Sequence, residues 1–144
     1  MAWSSVHKYL AEYLGTFALL LFGGGAAVFS LADPGNARVV LVSCAFGITV
    51  LAGAYVFGDL SGGHFNPAVT LSMALSRRMP VQDVVPYLIA QILGGLTGLG
   101  VVFGIASGSS SAFSLAQGAA LGSQCYAGSG APSGCTFSVG SVFL

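Results

Sequence analysis

The chain has 144 residues, of which 55% are hydrophobic and only 6% are charged, and its formal net charge is zero. A soluble domain carries about 25% charged residues, so this composition excludes a soluble enzyme and a disordered tail. A nucleic-acid-binding protein would need a basic face, which is also missing. The composition therefore indicates an integral membrane protein embedded in a lipid bilayer.

The spacing of the charged residues predicts three membrane-spanning helices. Uncharged stretches separate Glu12 from Asp33 and Arg38 from Asp59, and no charge follows Asp83. About 20 residues at 1.5 Å each cross the hydrocarbon core of a bilayer. We expect spans at about 9–32, 39–58 and 84–107. A cleaved signal peptide is the alternative for the first span, but its length and the preceding Glu12 favour a retained helix.

The basic residues indicate the orientation in the membrane. Lys8, Arg77 and Arg78 lie on one side and Arg38 on the other. The positive-inside rule then places the N-terminus in the cytoplasm, and we expect a multi-pass protein of the cell (inner) membrane. Residues 108–136 would form an extracytoplasmic loop, and residues 137–144 would begin a fourth helix.

Two cysteines lie in the predicted outward loop. Cys125 and Cys135 are ten positions apart in a stretch rich in glycine and serine. An oxidising exterior permits a disulfide between them, and two free thiols are the alternative. Neither this pair nor any other spacing predicts a metal site, and no cofactor is expected.

The segment from about residue 60 to 76 does not fit a spanning helix. Its first part contains glycines, a histidine and Asn66-Pro67, whereas 67–76 is a good helix of about ten residues. Asn66 suits the N-cap and Pro67 the first helical position. Because Arg77 and Arg78 must return to the side of entry, we predict a re-entrant loop and half-helix. An amphipathic helix lying flat on the membrane is the alternative.

This geometry has chemical consequences. An extended stretch from Ser61 to Phe65 would present free carbonyl oxygens, and the half-helix would direct its positive end towards the bilayer interior. Asn66 could cap the helix with its oxygen and offer its NH2 group to a pore. Such an arrangement offers hydrogen bonds to a neutral solute and repels cations.

The string Ser61-Gly-Gly-His-Phe-Asn-Pro-Ala-Val-Thr70 resembles the first signature loop of the aquaporins, the major intrinsic protein family. Three further segments resemble that family's first, second and third helices in order: Ala11–Phe17, Ala45–Val50 and Tyr87–Gly95. The resemblance covers nearly the whole chain and is closest to the bacterial water-selective members.

The resemblance implies an all-α membrane fold with three transmembrane helices and one re-entrant half-helix, which is one half of an inverted repeat. It also implies site residues. These are the Asn-Pro-Ala box Asn66, Pro67 and Ala68; the carbonyl ladder of Gly62, Gly63, His64 and Phe65; the filter residue Phe46; and the buried acid Glu12, which supports the loop.

Other interpretations of these residues stay open at this point. Phe46 could be a lipid-facing or packing residue, and Glu12 could extend to the membrane surface. Gln91 lies inside the third span and is expected to hydrogen-bond across helices as structural support. His64 lacks a nearby nucleophile and Asp59 is the nearest acid in sequence, so we do not expect an enzyme.

The resemblance implies a passive water channel whose permeant is water and which is a homotetramer when complete. A glycerol facilitator of the same family and a non-conducting assembly or modulatory subunit are the alternatives. The second Asn-Pro-Ala box and the filter arginine are absent from these 144 residues. We therefore expect an incomplete N-terminal half that does not conduct alone. It would be a fragment, a split-channel subunit or a self-pairing half.

Overall fold

The computed structural model describes residues 4–30 and 36–108, and every regular element within these ranges is a helix. In chain order they are α1 (Ser5–Leu19), a π-helical segment (Leu20–Gly24), α2 (Gly25–Phe29), α3 (Asn36–Ser61), α4 (Pro67–Leu75) and α5 (Val81–Ser107). The first three are continuous and together form the first span. Ser5–Phe29, Ala37–Ser61 and Val81–Ser107 are long and apolar enough to cross a membrane. The predicted all-α membrane fold with three spans is confirmed.

The helix ends differ from the predicted ones where local backbone chemistry decides them. The second span was predicted to end at about residue 58 and the loop to begin at about residue 60, whereas α3 continues through Ser61. Gly62 has φ 89° and its N–H donates to the Gly58 carbonyl at 2.9 Å. A left-handed glycine closes a helix in this way at little steric cost, so α3 ends at the first glycine that adopts it.

The third span also begins earlier than predicted, at Val81, directly after Pro80. Asp83 therefore lies in the first turn of α5, where a carboxylate interacts favourably with the helix dipole. The predicted outward loop is described only at Gly108, the C-cap of α5. Its remainder, with Cys125, Cys135 and the predicted fourth helix, lies outside the described residues.

The first span packs closely against α5 because α5 carries glycines at the contact. A Cβ atom at Gly98 would lie 2.6 Å from the Phe17 carbonyl oxygen, and one at Gly94 would overlap the Tyr13 carbonyl. The Tyr13 hydroxyl also lies 3.0 Å from Thr97 Oγ1. Small residues four apart allow two membrane helices to approach this closely.

Polar side chains join the same two helices at one end of the bundle. The Tyr9 hydroxyl donates to Asp83 Oδ1 at 2.9 Å, and Lys8 Nζ lies 3.6 Å from the other carboxylate oxygen. The ring of Tyr9 also meets Tyr87 edge-on, at 5.9 Å between centroids. These contacts fix the start of α1 against the start of α5.

Gly98→Ala is expected to destabilise the chain, because the added methyl group has no space between α5 and the Phe17 backbone. Overpacking of this kind costs about 1–3 kcal/mol. The measurement is thermal unfolding in detergent micelles, followed by circular dichroism. Gly100→Ala is the matched control, since a Cβ at Gly100 meets nothing within 4 Å. Equal unfolding temperatures for the two variants would contradict the close packing.

Candidate functional site

The connection between α3 and α4 presents an asparagine at a helix N-terminus. Asn66 is extended, with φ −152°, and its Oδ1 accepts the Ala68 N–H at 2.8 Å. Pro67 occupies the first helical position, where its missing N–H costs nothing. Asn66 is exposed, and its amide nitrogen has no partner among the described residues. The positive end of α4 thus carries a free NH2 group.

The chain reverses sharply at the other end of α4. Arg77 adopts φ 56°, its N–H donates to the Ala74 carbonyl, and the Arg78 N–H donates to the Met73 carbonyl. This pair of hydrogen bonds is a Schellman motif with arginine in the left-handed position. At nine residues, α4 is about 14 Å long, or half the thickness of a bilayer core.

Glu12 holds the loop between α3 and α4 from inside the bundle. Its Oε1 accepts from Ser61 Oγ at 2.6 Å and from the His64 N–H at 2.9 Å. Its Oε2 accepts from the Phe65 N–H at 2.7 Å and from Gln91 Nε2 at 2.8 Å. The residue is 0% exposed, so its side chain does not extend to the protein surface. One carboxylate thereby satisfies two loop N–H groups that no helix or strand pairs.

A second group of polar side chains ties α4 and α5 to the same loop. Gln91 Nε2 also donates to Thr70 Oγ1 at 2.8 Å, and that hydroxyl lies 3.1 Å from His64 Nδ1. The Tyr87 hydroxyl donates to the Ser61 carbonyl at 2.8 Å. Thr70 and Gln91 are almost fully buried. The loop is therefore fixed on three sides, by the first span, α4 and α5.

The carbonyl groups of the loop remain available as acceptors. No hydrogen bond among the described residues ends on the carbonyl oxygens of Gly62, Gly63, His64 and Phe65. Gly62, Gly63 and Phe65 have positive φ values of 89°, 65° and 48°. This left-handed path prevents a regular helix or strand, so the carbonyls are not paired with neighbouring N–H groups.

Phe46 lies on α3 and is half-buried. Its ring packs against the backbone of Gly23 in the first span. Phe65, in contrast, is only 4% exposed, and its ring lies beside Gly15. Because Gly15 and Gly23 are eight residues apart, the two rings are separated by about 12 Å along the first span.

Gly62→Ala is expected to destabilise the loop, because an L-residue at φ 89° is strained and its methyl group would lie 3.3 Å from His64 Nε2. The left-handed conformation alone costs about 1–2 kcal/mol. Thermal unfolding in micelles measures the effect. Gly58→Ala, one turn earlier in α3 and with nothing within 4 Å of its Cβ, should instead match or exceed the wild type. Equal loss in both variants would refute the backbone argument.

Several residues of this site were not identified from the sequence. Ser61, Thr70 and Tyr87 all take part in the hydrogen bonds around the loop. One signal was available, because Tyr87 and Gln91 are four residues apart and therefore share one face of α5. Ser61 and Thr70 are the first and last residues of the string that resembles the signature loop, but nothing in that string identifies Glu12, Tyr87 and Gln91 as their partners.

The described residues thus combine three helices long and apolar enough to span a membrane with a half-length helix that follows an exposed asparagine. The family model described as major intrinsic protein matches residues 1–131. The chain therefore belongs to the major intrinsic protein family, as the resemblance predicted.

Similar proteins carry aquaporin, glycerol-facilitator and aquaglyceroporin names. Aquaporin Z of Rhodopseudomonas palustris is 45% identical over 115 residues, which cover 79% of this chain and 48% of that protein. Glycerol uptake facilitator protein-like 6 of Lactiplantibacillus plantarum is 45% identical over 91 residues, covering 63% of this chain and 40% of that protein. The X-ray structure of the aquaglyceroporin from Plasmodium falciparum has a TM-score of 0.66 and 30% identity, covering 73% of this chain and 43% of that one. The chain spans about half the length of the relatives it matches.

Proposed function

We propose that this chain forms the N-terminal half of a passive water channel. The observation that carries the proposal is the exposed Asn66 amide at the start of α4, directly preceded by four unpaired backbone carbonyls. Water needs both donors and acceptors to replace the hydrogen bonds that it loses on leaving bulk solvent. In this assignment Asn66 donates to the permeating molecule, and the carbonyls of residues 62–65 accept from it.

The charge distribution of the site supports a neutral permeant. The positive end of α4 and the Asn66 NH2 group disfavour a cation at this point. The nearby carboxylate of Glu12 is fully buried and uses both oxygens to accept four hydrogen bonds. It is therefore not available to bind an ion in the pore. Passage would be passive, with no covalent chemistry.

Phe46 is the proposed filter residue of this half, and it bears on the choice between water and glycerol. It is a bulky ring on α3, half-exposed and about 12 Å from Phe65 along the first span. A ring of this size narrows a pore and so favours water over glycerol. The glycerol facilitator stays as a second candidate, because one similar protein carries that name and another is an aquaglyceroporin.

The experiment that tests the function uses a completed channel, which we define as residues 1–108 of this chain fused to the C-terminal half of the Rhodopseudomonas palustris Aquaporin Z. Stopped-flow light scattering on proteoliposomes measures water and glycerol entry separately. We expect water permeability well above that of empty vesicles and slow glycerol entry. Fast glycerol entry would favour the glycerol facilitator. If the fusion conducts neither water nor glycerol, the channel assignment is refuted. The parent Aquaporin Z is the control for reconstitution.

The 144-residue chain by itself is expected not to conduct. None of the residues in the most apolar 18-residue stretch of α3 is buried, so the α3 side of the described bundle is open. In a bilayer, lipid would meet the unpaired carbonyls of the loop, at a cost of several kcal/mol for each unsatisfied group. The same stopped-flow assay on the purified chain checks this. Water permeability above that of empty vesicles would contradict it.

The orientation and assembly of the channel are also proposals. Lys8 and Arg78 line one pocket, which places the start of α1 and the end of α4 on the same side of the bundle. The positive-inside rule makes this the cytoplasmic side of the inner membrane. By family resemblance we propose a homotetramer in which each complete protomer has its own pore.

A further inference from the structure

Two aromatic side chains of the proposed pore half rest on glycines of the first span. A Cβ atom at Gly15 would overlap the ring of Phe65, and a Cβ atom at Gly23 would lie 2.5 Å from Cδ1 and Cε1 of Phe46. Both glycines are buried. At each position the ring therefore occupies the volume that any other residue's side chain would need.

Phe65 is enclosed from both sides. Opposite Gly15, a Cβ atom at Gly53 of α3 would lie 2.9 Å from its Cε2 atom, and Phe57 meets the ring edge-on at 6.1 Å between centroids. The residue is 4% exposed and has φ 48°, a costly conformation for a residue with a side chain. Since Phe65 directly precedes Asn66, the slot that holds its ring also fixes where α4 begins.

Phe46 packs against the first span at Gly23. Gly23 closes the side that faces the first span, and the residue is half-exposed. A methyl group at Gly23 would push the ring away from the first span and towards its open side. The backbone of Gly23 thus determines how far the Phe46 ring projects from the bundle.

The π-helical segment brings these two glycines into alignment. Eight residues of a regular α-helix rotate by about 800°, which leaves positions 15 and 23 about 80° apart. A π-helical turn closes over one additional residue, so the rotation per residue is smaller. With Leu20–Gly24 in this conformation, position 23 lies closer to the helix face that carries position 15 than it would in a regular α-helix. Gly15 and Gly23 then both meet rings that belong to α3 or the loop that follows it.

We propose that Gly15 and Gly23 are positioning residues for the pore, and that the π-helical segment sets the register between them. Gly15 leaves space for the Phe65 ring and thereby fixes the position of Asn66. Gly23 leaves space for the Phe46 ring and thereby sets the pore width. The inference for pore width rests on the proposed channel function. The packing itself does not depend on that function.

The first test measures how the Phe46 ring packs against Gly23, using the 144-residue chain in lipid nanodiscs. 4-Fluorophenylalanine at position 46 reports the ring's surroundings by fluorine NMR. Gly23→Ala should shift that resonance. Gly25→Ala should leave it in place, because a Cβ at Gly25 meets Val102 at an ordinary 3.6 Å. An unchanged resonance in Gly23→Ala would overturn the proposal whether or not the channel conducts.

The second test uses the completed channel. Gly23→Ala should lower water permeability severalfold, and Phe46→Leu in the same protein should restore much of it by making room for the methyl group. Gly25→Ala should conduct like the wild type. A loss that Phe46→Leu does not relieve would indicate misfolding rather than a displaced ring and would overturn the positioning role. Absence of conduction in the wild-type fusion would instead refute the proposed function.

The third test concerns the π-helical segment. Deleting Phe22, its exposed residue, should convert the segment to a regular α-helix in which the two glycines are seven positions apart and still share a face. We expect this variant of the 144-residue chain to keep the fluorine resonance of position 46 close to that of the wild type. Deleting Leu96 from α5 is the control, because it misaligns Gly94 and Gly98 and should unfold the chain. If the Phe22 deletion is as damaging, the register argument is wrong.

Discussion

Replacing Glu12 with leucine is expected to produce the largest loss of stability of any single substitution in this chain. The change leaves the His64 and Phe65 N–H groups without their acceptor and removes one of the two acceptors of both the Ser61 hydroxyl and the Gln91 amide. Each unsatisfied buried donor costs about 1–3 kcal/mol. We therefore expect the 144-residue chain to lose its ordered loop, and the completed channel to lose water permeability.

Glu12→Gln separates hydrogen bonding from side-chain shape. The amide has the size of the carboxylate, but its NH2 group must face either the His64 or the Phe65 N–H. The hydroxyl of Ser61 and the amide of Gln91 can reorient to accept, whereas a backbone N–H cannot. At least one donor therefore stays unpaired, and the cost should be about 1–3 kcal/mol, below that of Glu12→Leu.

Amide hydrogen exchange and thermal unfolding of the chain in micelles measure both variants. The His64 and Phe65 amides should exchange much faster in Glu12→Leu than in the wild type. Asp59→Asn, which neutralises an exposed acid of α3, is the control and should change neither quantity. Continued protection of both amides in Glu12→Leu would show that Glu12 does not hold the loop.

Asn66→Asp is expected to have the largest effect on permeation without unfolding the half-helix. A carboxylate can still accept the Ala68 N–H, so the cap of α4 is retained. The NH2 donor is lost, however, and a negative charge takes its place. A hydrogen bond contributes about 1 kcal/mol, and about 1.4 kcal/mol in a barrier is a factor of ten. Water permeability of the completed channel should therefore fall by about fivefold.

Gln82→Glu is the matched control for this charge change. It converts an amide to a carboxylate of the same size at an exposed position in the first turn of α5, and it should leave permeability unchanged. Asn66→Ala, unlike Asn66→Asp, removes the cap of α4 and should lower the free energy of unfolding by about 1 kcal/mol. If Asn66→Asp conducts like the wild type, the chain acts as an assembly or modulatory subunit instead of forming the pore.

Parts of the fold could be predicted because their causes are local. The low charge content and the apolar stretches predicted three spans, and glycines followed by Asn66-Pro67 predicted a short helix after a non-helical loop. The prediction missed the end of α3 by a few residues. The end of α3 is set by the left-handed backbone that Gly62 adopts. A segment of this composition could also end the helix earlier.

The candidate site was only partly predictable, and the difference lies in how far apart its members are in sequence. Family resemblance pointed to Glu12 as support for the loop, but its donors lie about 50 to 80 residues away on three different elements. Ser61 and Thr70 belong to the string that resembles the signature loop, but their roles depend on Glu12 and Gln91, which lie far from them in sequence. Periodicity reports the burial of a helix face and does not identify the partner of a polar group.

The amino-acid sequence was sufficient to predict a membrane protein of the major intrinsic protein family, with a half-helix that begins directly after Asn66. Composition, charge spacing and the capping preferences of Asn and Pro act within one segment and need no knowledge of neighbours. The packing of the Phe65 and Phe46 rings against Gly15 and Gly23, and the π-helical segment between these glycines, could be learned only from the folded chain. Those features depend on which backbone segment packs against which ring. This is determined only when all the helices are packed together.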